Sequence, residues 1–363
     1  MTHHQYRTIT INGIPHTEKA LNMLTKAYSS EIAVAGWEKK LFGFIGEWLS
    51  DEPIIEIQTS GSTGKPGIIT VEKNKMVQSA LRTGKYLQLS EGDKALLALP
   101  VSFIAGKMMV VRSFVLGLDL IPANPTSNPL ADLEQPIDFA ALTPMQLFHG
   151  LASEKGKQAI DTIQKLIIGG GEINLQLQNK IESLKADVWH TYGMAETLTH
   201  VAMKKLNGET RSEHFKALPD VEFSKDVRGC LEIAAKWLSN QKIVTNDLVE
   251  LHDDNSFDFV GRFDNIINTG GIKISPELVE AKLSELFQEH SVIIGLPDEA
   301  LGQKIVLVIE GTQQPESYYF EKMQMAKLEK FEMPKEIKFL YQFPVTESGK
   351  VIRHLVREHI LNQ

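Results

Sequence analysis

Apolar residues follow two alternating periods along the first 260 positions of the chain. Short runs such as ALLALPV (95–101) and QKLIIGGG (164–171) predict strands that end in turns. KNKMVQSALRTGKYLQL (73–89) and NLQLQNKIESLKA (174–186) carry apolar residues at helical spacing, and LFGFIGEWL (41–49) predicts a packed amphipathic helix. Because strands alternate with helices, the pattern predicts an α/β fold with a large layered domain.

The pattern changes character near Asp264, where a polar turn and a Gly-Gly pair follow GRFDN. Ser275 is a good helix N-cap and Pro276 suits the first helical position, so SPELVEAKL predicts a helix. Two strand-like runs, HSVIIGLP and QKIVLVIEG, and a helical stretch around YYFEKMQMAKLEKF come after it. The sequence therefore predicts two domains, 1–263 and a small α+β domain at 264–363.

Composition limits the classes of partner. Acidic residues number 46 and basic residues 38, so the formal net charge is −8, and we expect neither nucleic acid nor an anionic membrane as a partner. Lys107, Arg112 and Asp119 interrupt the most apolar stretch, so it predicts buried core rather than a membrane span. The first residues lack the apolar core of a secretion signal. The single cysteine, Cys230, cannot form an internal disulfide and is expected to be a buried apolar residue, which favours the cytoplasm.

The segment TSGSTGKPG (59–67) has the composition of a phosphate-binding loop. It fails the P-loop pattern G-x-x-x-x-G-K-[ST], because Thr59 replaces the first glycine and Pro66 follows the lysine. Its flanks, IIEIQ and GIITVEK, both predict strands, so the alternative is a plain hairpin turn. Hydroxyls, backbone N–H groups and one ammonium are nevertheless concentrated here, which favours phosphate binding by Thr59, Ser60, Gly61, Ser62, Thr63, Gly64 and Lys65.

Further candidates lie in distant segments. In HTYGMAET, Tyr192 has the chemistry to stack on a base and Glu196 to hold Mg²⁺, which prefers hard oxygen ligands. In NDLVEL, Asp247 has the chemistry to bind ribose hydroxyls; Arg262 and Lys350 are cations in GRFD and ESGK. Taken singly, each is equally well explained as a core tyrosine, a surface carboxylate or a solvated cation.

Together and in this order, these segments resemble the acyl-adenylate-forming superfamily of acyl-CoA synthetases, luciferases and adenylation domains. The resemblance covers residues 54–357 and rests on TSGSTGKPG, GGGE, YGMAET, TNDLVEL, GRFDNIINTGGIKISPELVE, GLPDEALGQ and PVTESGK. It implies that a carboxylate attacks the α-phosphate of ATP in the presence of Mg²⁺, and that the thiol of CoA then displaces AMP from the acyl-AMP. Two anions must approach each other, so cations, hydroxyls and a metal are needed to neutralise the developing charge.

The resemblance also implies roles for individual residues. The loop Thr59 to Lys65 would cradle the β- and γ-phosphates, and Lys350 would bridge the carboxylate and α-phosphate during adenylation. The other roles are the adenine and acyl pocket for Gly170, Gly171 and Glu172, adenine stacking for Tyr192, α-phosphate contact for Thr197, Mg²⁺ binding for Glu196, and ribose binding for Asp247 and Arg262.

Asp264 matches the family's hinge, about which the small domain is expected to rotate. The rotation would withdraw Lys350 and present Gly270 and Gly271 to the pantetheine tunnel, where a narrow channel tolerates no side chain. For Lys273, contact with the CoA phosphates and simple solvation remain equal alternatives. The chain departs from the family in two ways: fewer residues precede the phosphate loop, and Phe103 replaces a histidine in LPVSF.

The short N-terminal portion, FIAGKMMVVR and HTYGMAETLTHVAMKKLNG resemble the short o-succinylbenzoate–CoA ligases of bacterial menaquinone synthesis. That substrate keeps a second carboxylate, which needs a partner. The cationic or protonatable candidates are Lys107, Arg112, His190 and His200, and Gly193 and Met194 are also assigned to the substrate. For Lys107, an ordinary lysine at a helix start is the alternative.

Other functions remain open at this point. The acid could be another aryl or medium-chain acid, the acceptor could be a carrier protein, and a family member without turnover would only bind nucleotide or acyl-AMP. Retention of Lys350, Glu196 and Asp247 argues against the last alternative. Homo-oligomerisation is also open, since a short N-terminal portion would leave apolar surface for a second copy to cover.

Overall fold

The computed structural model describes residues 2–30, 35–58, 67–284, 286–287, 289–311, 315–346 and 351–363. Its internal contacts divide the chain into two compact units. The first unit comprises Met1–Glu172, Lys180–Glu222 and Ala234–Ile243, and the second comprises Ile173–Asn179, Phe223–Ile233 and Val244–Gln363.

Helices and strands alternate as the sequence predicts. The helices are α1 (Glu18–Ser30), α2 (Gly36–Leu49), α3 (Lys73–Leu87), α4 (Ile104–Leu116), α5 (Pro144–Leu151), α6 (Glu154–Ile160), α7 (Leu175–Glu182), α8 (Pro276–Leu283), α9 (Glu316–Met325) and α10 (Arg353–Leu361). The strands are β1 (Ile9–Ile11), β2 (Ile14–His16), β3 (Ile54–Gln58), β4 (Ile68–Glu72), β5 (Lys94–Leu97), β6 (Asp119–Pro122), β7 (Ile137–Leu142), β8 (Ile163–Ile168), β9 (Asp187–Gly193), β10 (His200–Lys205), β11 (Phe215–Ala217), β12 (Glu222–Lys225), β13 (Cys230–Ala234), β14 (Ile243–His252), β15 (Ser256–Arg262), β16 (Ile267–Thr269), β17 (Ile272–Ile274), β18 (Ser291–Asp298), β19 (Gly302–Glu310) and β20 (Glu336–Leu340).

The first unit contains a sheet with the spatial order β11-β10-β9-β8-β7-β5-β6-β1-β2. Strands β9, β8, β7, β5, β6 and β1 pair in parallel, and β2 and β10 pair antiparallel at the two sides of this parallel stretch. Parallel neighbours require crossover connections, which α4, α5, α6 and α7 supply along the chain. The predicted α/β class is confirmed.

Helix α4 lies in the core of the first unit. Every residue from Gly106 to Val115 is buried, including Arg112, so the helix has no solvent face over that span. A helix that is apolar all round belongs in a protein interior. The prediction that residues 95–121 form buried strand and helix, not a membrane span, is therefore confirmed. No helix in the described ranges has the length and apolarity to cross a bilayer.

The second unit contains strands β12-β13-β14-β15 in that order and a separate sheet with the order β17-β16-β19-β18, to which β20 adds parallel to β19. Successive residues of β18 and β19 alternate between two cores. Ile293 and Leu307 pack with α8 and α9, whereas Val292 and Val306 pack with α10. Successive side chains of a strand point to opposite faces, and helices cover both faces of this small sheet. Both sets of side chains are therefore buried, which explains why the strands are apolar almost throughout.

Residues after Asp264 thus carry a sheet and cores of their own, as the predicted small domain requires. The boundary at Asp264 itself lies inside the second unit and stays a prediction. Helix α8 begins as predicted, with Ser275 at the N-cap and Pro276 after it. The expected capping bond is absent, because the Ser275 hydroxyl instead lies 2.8 Å from the Val260 carbonyl oxygen and 3.0 Å from a carboxylate oxygen of Glu277.

Candidate active site

A two-stranded hairpin flanks the predicted phosphate loop. Strands β3 and β4 pair antiparallel from Ile54↔Glu72 to Gln58↔Ile68, which confirms the two predicted flanking strands, whereas a P-loop would lead directly into a helix. The predicted phosphate ligands Thr59, Ser60, Gly61, Ser62, Thr63, Gly64 and Lys65 lie outside the described residues.

The base of the hairpin is fixed to the end of α2. The backbone N–H of Lys73 donates to the Pro53 carbonyl at 2.9 Å, and its buried ammonium donates to the Ser50 carbonyl at 2.8 Å. A cation on the last carbonyls of a helix is favourable, since those groups lack intrahelical donors. Lys73 therefore holds the chain at the point where it leaves the hairpin.

The GGGE segment follows β8 and is held from β9. Gly170 has a φ of +81°, a conformation that favours glycine. His190 on β9 approaches the Gly171 carbonyl oxygen through Nε2 at 3.2 Å, and because a carbonyl only accepts, this nitrogen must carry a proton. Burial lowers the pKa of His190 to about 4, despite the opposing effect of that hydrogen bond. His190 is thus neutral at pH 7 and orients the loop.

The YGMAET motif spans the end of β9 and the turn before β10. Tyr192 lies edge-on to Phe215 with ring centroids 6.0 Å apart. The Thr197 hydroxyl is fully buried, accepts from the Met194 N–H at 2.9 Å and lies 2.7 Å from the Thr199 carbonyl oxygen. Thr197 consequently holds the turn closed from inside.

Two backbone features make this turn possible. Leu198 has a φ of +65°, which is costly for a residue with a branched side chain. A Cβ on Gly193 would lie 2.3 Å from the Thr199 carbonyl oxygen, so only glycine fits there. The Glu196 carboxylate is exposed and has no hydrogen bond or ion pair within the described part of the chain. It fits the predicted metal ligand, since a hard, accessible oxygen donor is what Mg²⁺ requires.

Helix α4 carries the two cations that the sequence offers for a second carboxylate. The Lys107 ammonium lies 3.1 Å from a Glu47 carboxylate oxygen and 4.3 Å from the ring centroid of Phe44, so its charge is already compensated. The start of the helix packs tightly, because a Cβ on Gly106 would lie 2.3 Å from the Pro100 carbonyl oxygen. Phe103, the substitute for the family's histidine, occupies the N-cap position.

Arg112 has a different environment. It is 2% exposed, and burial alone lowers its pKa to about 9, so it remains a cation at pH 7. One terminal nitrogen donates to the Thr199 hydroxyl at 2.9 Å, the other approaches the Met109 sulfur at 3.5 Å, and Nε has no partner. Among the described residues no carboxylate forms an ion pair with it. A buried guanidinium without an anion is unusual, because charge burial is costly unless the charge is paired.

His200, the last predicted substrate residue, is buried next to Arg112. Its Nδ1 lies 3.2 Å from the Thr199 hydroxyl and its Nε2 lies 3.0 Å from the Thr83 hydroxyl. Burial, and then the Arg112 charge, lower the pKa of His200 well below its usual value. His200 is therefore neutral at pH 7 and carries no charge for a substrate carboxylate.

Asp247 and Arg262 meet in the second unit as neighbours across β14 and β15. One terminal nitrogen of Arg262 lies 3.2 Å from Asp247, and the other lies 3.2 Å from the predicted hinge residue Asp264. The Asn246 side chain also donates to Asp264, at 3.1 Å. The structure thus joins both predicted ribose ligands and the carboxylate of the predicted hinge residue in one hydrogen-bonded group.

Gly270 and Gly271 form the two-residue turn between β16 and β17, with φ of +59° and +83°. Two positive φ values match a type I′ hairpin, which explains a Gly-Gly pair. A Cβ on Gly271 would meet nothing within 4 Å, so this position has open space in front of it. Lys273 is exposed on β17.

Lys350 lies outside the described residues, but the chain on both sides of it is fixed. Val345 and Val351 form an antiparallel bridge, and the Ile352 N–H donates to the Pro344 carbonyl at 2.8 Å.

Arg353 then binds Glu280 of α8 with both terminal nitrogens, one of them at 2.9 Å. Sequence reasoning missed this pair. The one available signal was an arginine directly after GKVI and an acidic residue on the buried side of a predicted helix.

Comparisons with known proteins show what this chain is similar to. A family model described as AMP-binding enzyme matches residues 28–223. The chain is 25% identical to a 2-succinylbenzoate–CoA ligase of Enterococcus faecalis over 82% of this chain and 67% of that protein.

Two solved structures are similar as well. The first is an acyl-CoA synthetase (AMP-forming)/AMP-acid ligase II-like protein of Dyadobacter fermentans, with 36% identity, a TM-score of 0.61 and coverage of 93% and 98% of the two chains. The second is an o-succinylbenzoate–CoA synthetase of Bacillus subtilis, which shares the fold at 15% identity, with a TM-score of 0.76 and coverage of 97% and 96%.

Proposed function

The chain belongs to the AMP-binding enzyme family, and we propose that it is an ATP-dependent acid–thiol ligase that converts o-succinylbenzoate to o-succinylbenzoyl-CoA. The name of the Enterococcus relative supports the substrate, and the AMP-forming synthetase from Dyadobacter supports the reaction class. The observation that carries the choice of a dicarboxylic acid is Arg112, a buried cation without an anionic partner in the described part of the chain. We also propose a cytoplasmic location, which a single buried cysteine supports.

The reaction has two balanced steps. A carboxylate oxygen of the acid bonds to the α-phosphorus of ATP while the bond to pyrophosphate breaks. The CoA sulfur then bonds to the acyl carbon, AMP leaves and the thiol proton passes to solvent. Mg²⁺ held by Glu196 would neutralise phosphate charge, and the hydroxyls and ammonium of residues 59–65 would hold the departing pyrophosphate. Lys350 would supply the positive charge at the reacting centre.

The remaining proposed roles follow the motifs. Gly170, Gly171, Glu172, Gly193 and Met194 would line the adenine and acyl pockets, Tyr192 would stack on adenine, Thr197 would lie at the α-phosphate, Asp247 and Arg262 would bind ribose, and Gly270 and Gly271 would border the pantetheine channel. The buried hydroxyl of Thr197 supports a positioning role for the turn next to the α-phosphate. The Asp247–Arg262 ion pair supports a shared ribose site, because it places a carboxylate acceptor and guanidinium donors side by side.

Electrostatics favour Arg112 over the other candidates for the second carboxylate. Lys107 already has Glu47, and His190 and His200 are neutral at pH 7 because burial lowers the pKa of each. A carboxylate that enters beside Arg112 would supply the missing anion and accept two N–H bonds from a planar fork. A fatty acid would leave this cation buried and unpaired, so the same residue that attracts a dicarboxylate disfavours an aliphatic monocarboxylate.

Pyrophosphate release with ATP and Mg²⁺, measured with and without CoA, tests the proposal. The acid panel should contain o-succinylbenzoate and 3-benzoylpropionate, which differ only in the ring carboxylate. We expect the former to have the higher kcat/KM by about a hundredfold, the order of magnitude of one buried charge pair. Arg112→Met should remove most of that preference, whereas Lys107→Met should leave it; the opposite result would assign the carboxylate to Lys107.

The two half-reactions test the role of the small domain. Lys350→Ala should abolish pyrophosphate release yet still convert supplied acyl-AMP to thioester, because its charge is needed only during adenylation. Equal loss of both half-reactions would contradict rotation about Asp264. Adenylation without transfer to CoA would instead indicate a carrier-protein acceptor, and failure of every acid would indicate a protein that only binds nucleotide.

A further inference from the structure

In the buried group around Arg112, one arrangement of the protons gives every donor an acceptor. An arginine side chain only donates, so the Thr199 hydroxyl accepts from Arg112 at 2.9 Å and is left with its single proton to give. The Thr83 hydroxyl gives its proton to the Ser79 carbonyl, which lies 3.2 Å away and can only accept. The His200 ring lies between these two hydroxyls.

The tautomer of His200 follows from these two ends. With its proton directed to Ser79, the Thr83 oxygen accepts from Nε2, and in this arrangement Nε2 carries the hydrogen. Nδ1 is then a bare acceptor, which takes the proton of Thr199 at 3.2 Å. Each hydroxyl and each ring nitrogen has a partner in this arrangement. The reverse tautomer would take the Thr83 proton away from Ser79 and would leave the Thr199 proton without an acceptor in this group.

Arg112 depends on this chain for its orientation. Its side chain has several rotatable bonds, its Nε has no partner, and its contact with Met109 is a weak one at 3.5 Å. The bond to Thr199 is the one strong hydrogen bond that fixes the guanidinium plane among the described residues. The Thr199 hydroxyl keeps its lone pairs toward Arg112 because its proton is directed to His200.

We propose that His200, held as the neutral Nε2–H tautomer, is a positioning residue that orients the Arg112 guanidinium through Thr199 for the second carboxylate of the substrate. The proposal rests on the function proposed above. His200 does not touch the substrate and transfers no proton. It fixes which N–H bonds of Arg112 remain free to bind an anion.

Two nearly isosteric variants separate the two sides of the ring. In His200→Asn the side-chain oxygen replaces Nδ1 and still accepts from Thr199, whereas in His200→Gln the amide replaces Nε2 and reaches Thr83 alone. We expect His200→Asn to keep the KM for o-succinylbenzoate within about threefold of wild type. His200→Gln should raise that KM about tenfold, which is the effect expected from losing one hydrogen bond, here the one from Thr199 to Nδ1. KM values for ATP and for 3-benzoylpropionate should stay near wild type in both, since neither ligand needs Arg112.

The tautomer is measurable without any substrate. Nitrogen-15 NMR of histidine-labelled protein should show His200 protonated on Nε2 alone from pH 6 to pH 8. Protonation on Nδ1, or equal effects of Asn and Gln on KM, would overturn the proposal. Failure of the proposed function has a different signature: wild-type protein would not prefer o-succinylbenzoate over 3-benzoylpropionate, while the NMR result would still stand. A wild-type preference that survives His200→Gln would refute the positioning role alone.

Discussion

The ion pair between Arg353 and Glu280 allows a direct test of what stabilises the packing of α8 and α10 on the small sheet. Arg353 is the first residue of α10, three positions after Lys350, and it binds Glu280 on α8 and the Ile293 carbonyl on β18. The side chains are only 21% and 15% exposed. Removing one partner of a buried pair costs about 3–5 kcal/mol, because the other charge is left uncompensated. Residual exposure places Arg353→Met near the lower limit, at about 3 kcal/mol.

Hydrogen exchange measured by mass spectrometry reports this loss of stability for individual peptides. A loss of about 3 kcal/mol corresponds to opening that is roughly a hundredfold more frequent, so peptides from α8 and α10 should exchange faster by about that factor. Peptides from β5, β7 and β8 of the first unit are the internal control and should not change. The matched variant Glu280→Met/Arg353→Met removes both charges and should restore slow exchange to within about tenfold of wild type. Equally fast exchange in the single and double variants would refute the electrostatic explanation.

The same pair has a defined pH dependence. Burial raises the pKa of Glu280, although Arg353 opposes the shift. Without the arginine the pKa of Glu280 rises further, and the folded state then binds a proton that the unfolded state releases. Stability of Arg353→Met should therefore fall as pH rises from 5 to 8. If Arg353→Met accelerates exchange in α10, relative to wild type at the same pH, by the same factor at pH 5 and at pH 8, the explanation by a charged carboxylate is contradicted.

Three further predictions follow from the first unit. Gly106→Ala forces a Cβ to within 2.3 Å of the Pro100 carbonyl oxygen, so the free energy of unfolding, measured by chemical denaturation, should fall by about 1–3 kcal/mol. Gly43→Ala, where a Cβ meets nothing within 4 Å, should leave it nearly unchanged. Burial lowers the pKa of His190 and His200, so the unfolded chain takes up protons first; the melting temperature should fall as pH drops below about 6.5, and His200→Asn should reduce that slope. Tyr192→Leu should raise the KM for ATP about tenfold with little change in the KM for CoA, since base stacking contributes about 1–3 kcal/mol.

Local patterns in the sequence predicted the elements well. The strands on both sides of the predicted phosphate loop, the helices α3 and α7 and the burial of Cys230 all follow from composition and period over a few residues. The N-cap of Ser275 shows the limit of such reasoning. Its position is correct, but the hydroxyl turns to the Val260 carbonyl, 15 residues earlier, because β15 lies beside the helix start.

Contacts between residues far apart in the chain could not be predicted from the sequence. Arg353 and Glu280 are 73 positions apart, and Arg112 and Thr199 are 87 apart, so no local period connects them. The sequence offered both Lys107 and Arg112 as cations for the second carboxylate, and Lys107 was the residue assigned to the substrate. Only packing distinguishes them, because α2 places Glu47 beside the lysine and nothing in the described chain places a carboxylate beside the arginine.

Strand β2 has a consequence for how copies of this protein meet one another. It is the outermost strand beside β1, and Pro15 pairs there with Thr10. A proline nitrogen cannot donate, so this pair must be the one without ladder bonds, and the proline nitrogen faces outward. A neighbouring chain that extended the sheet at this edge could pair with only three residues, and the middle one, Pro15, has no N–H to donate. The protein thereby resists edge-to-edge aggregation at a place where Ile14 is 59% exposed and would otherwise invite it.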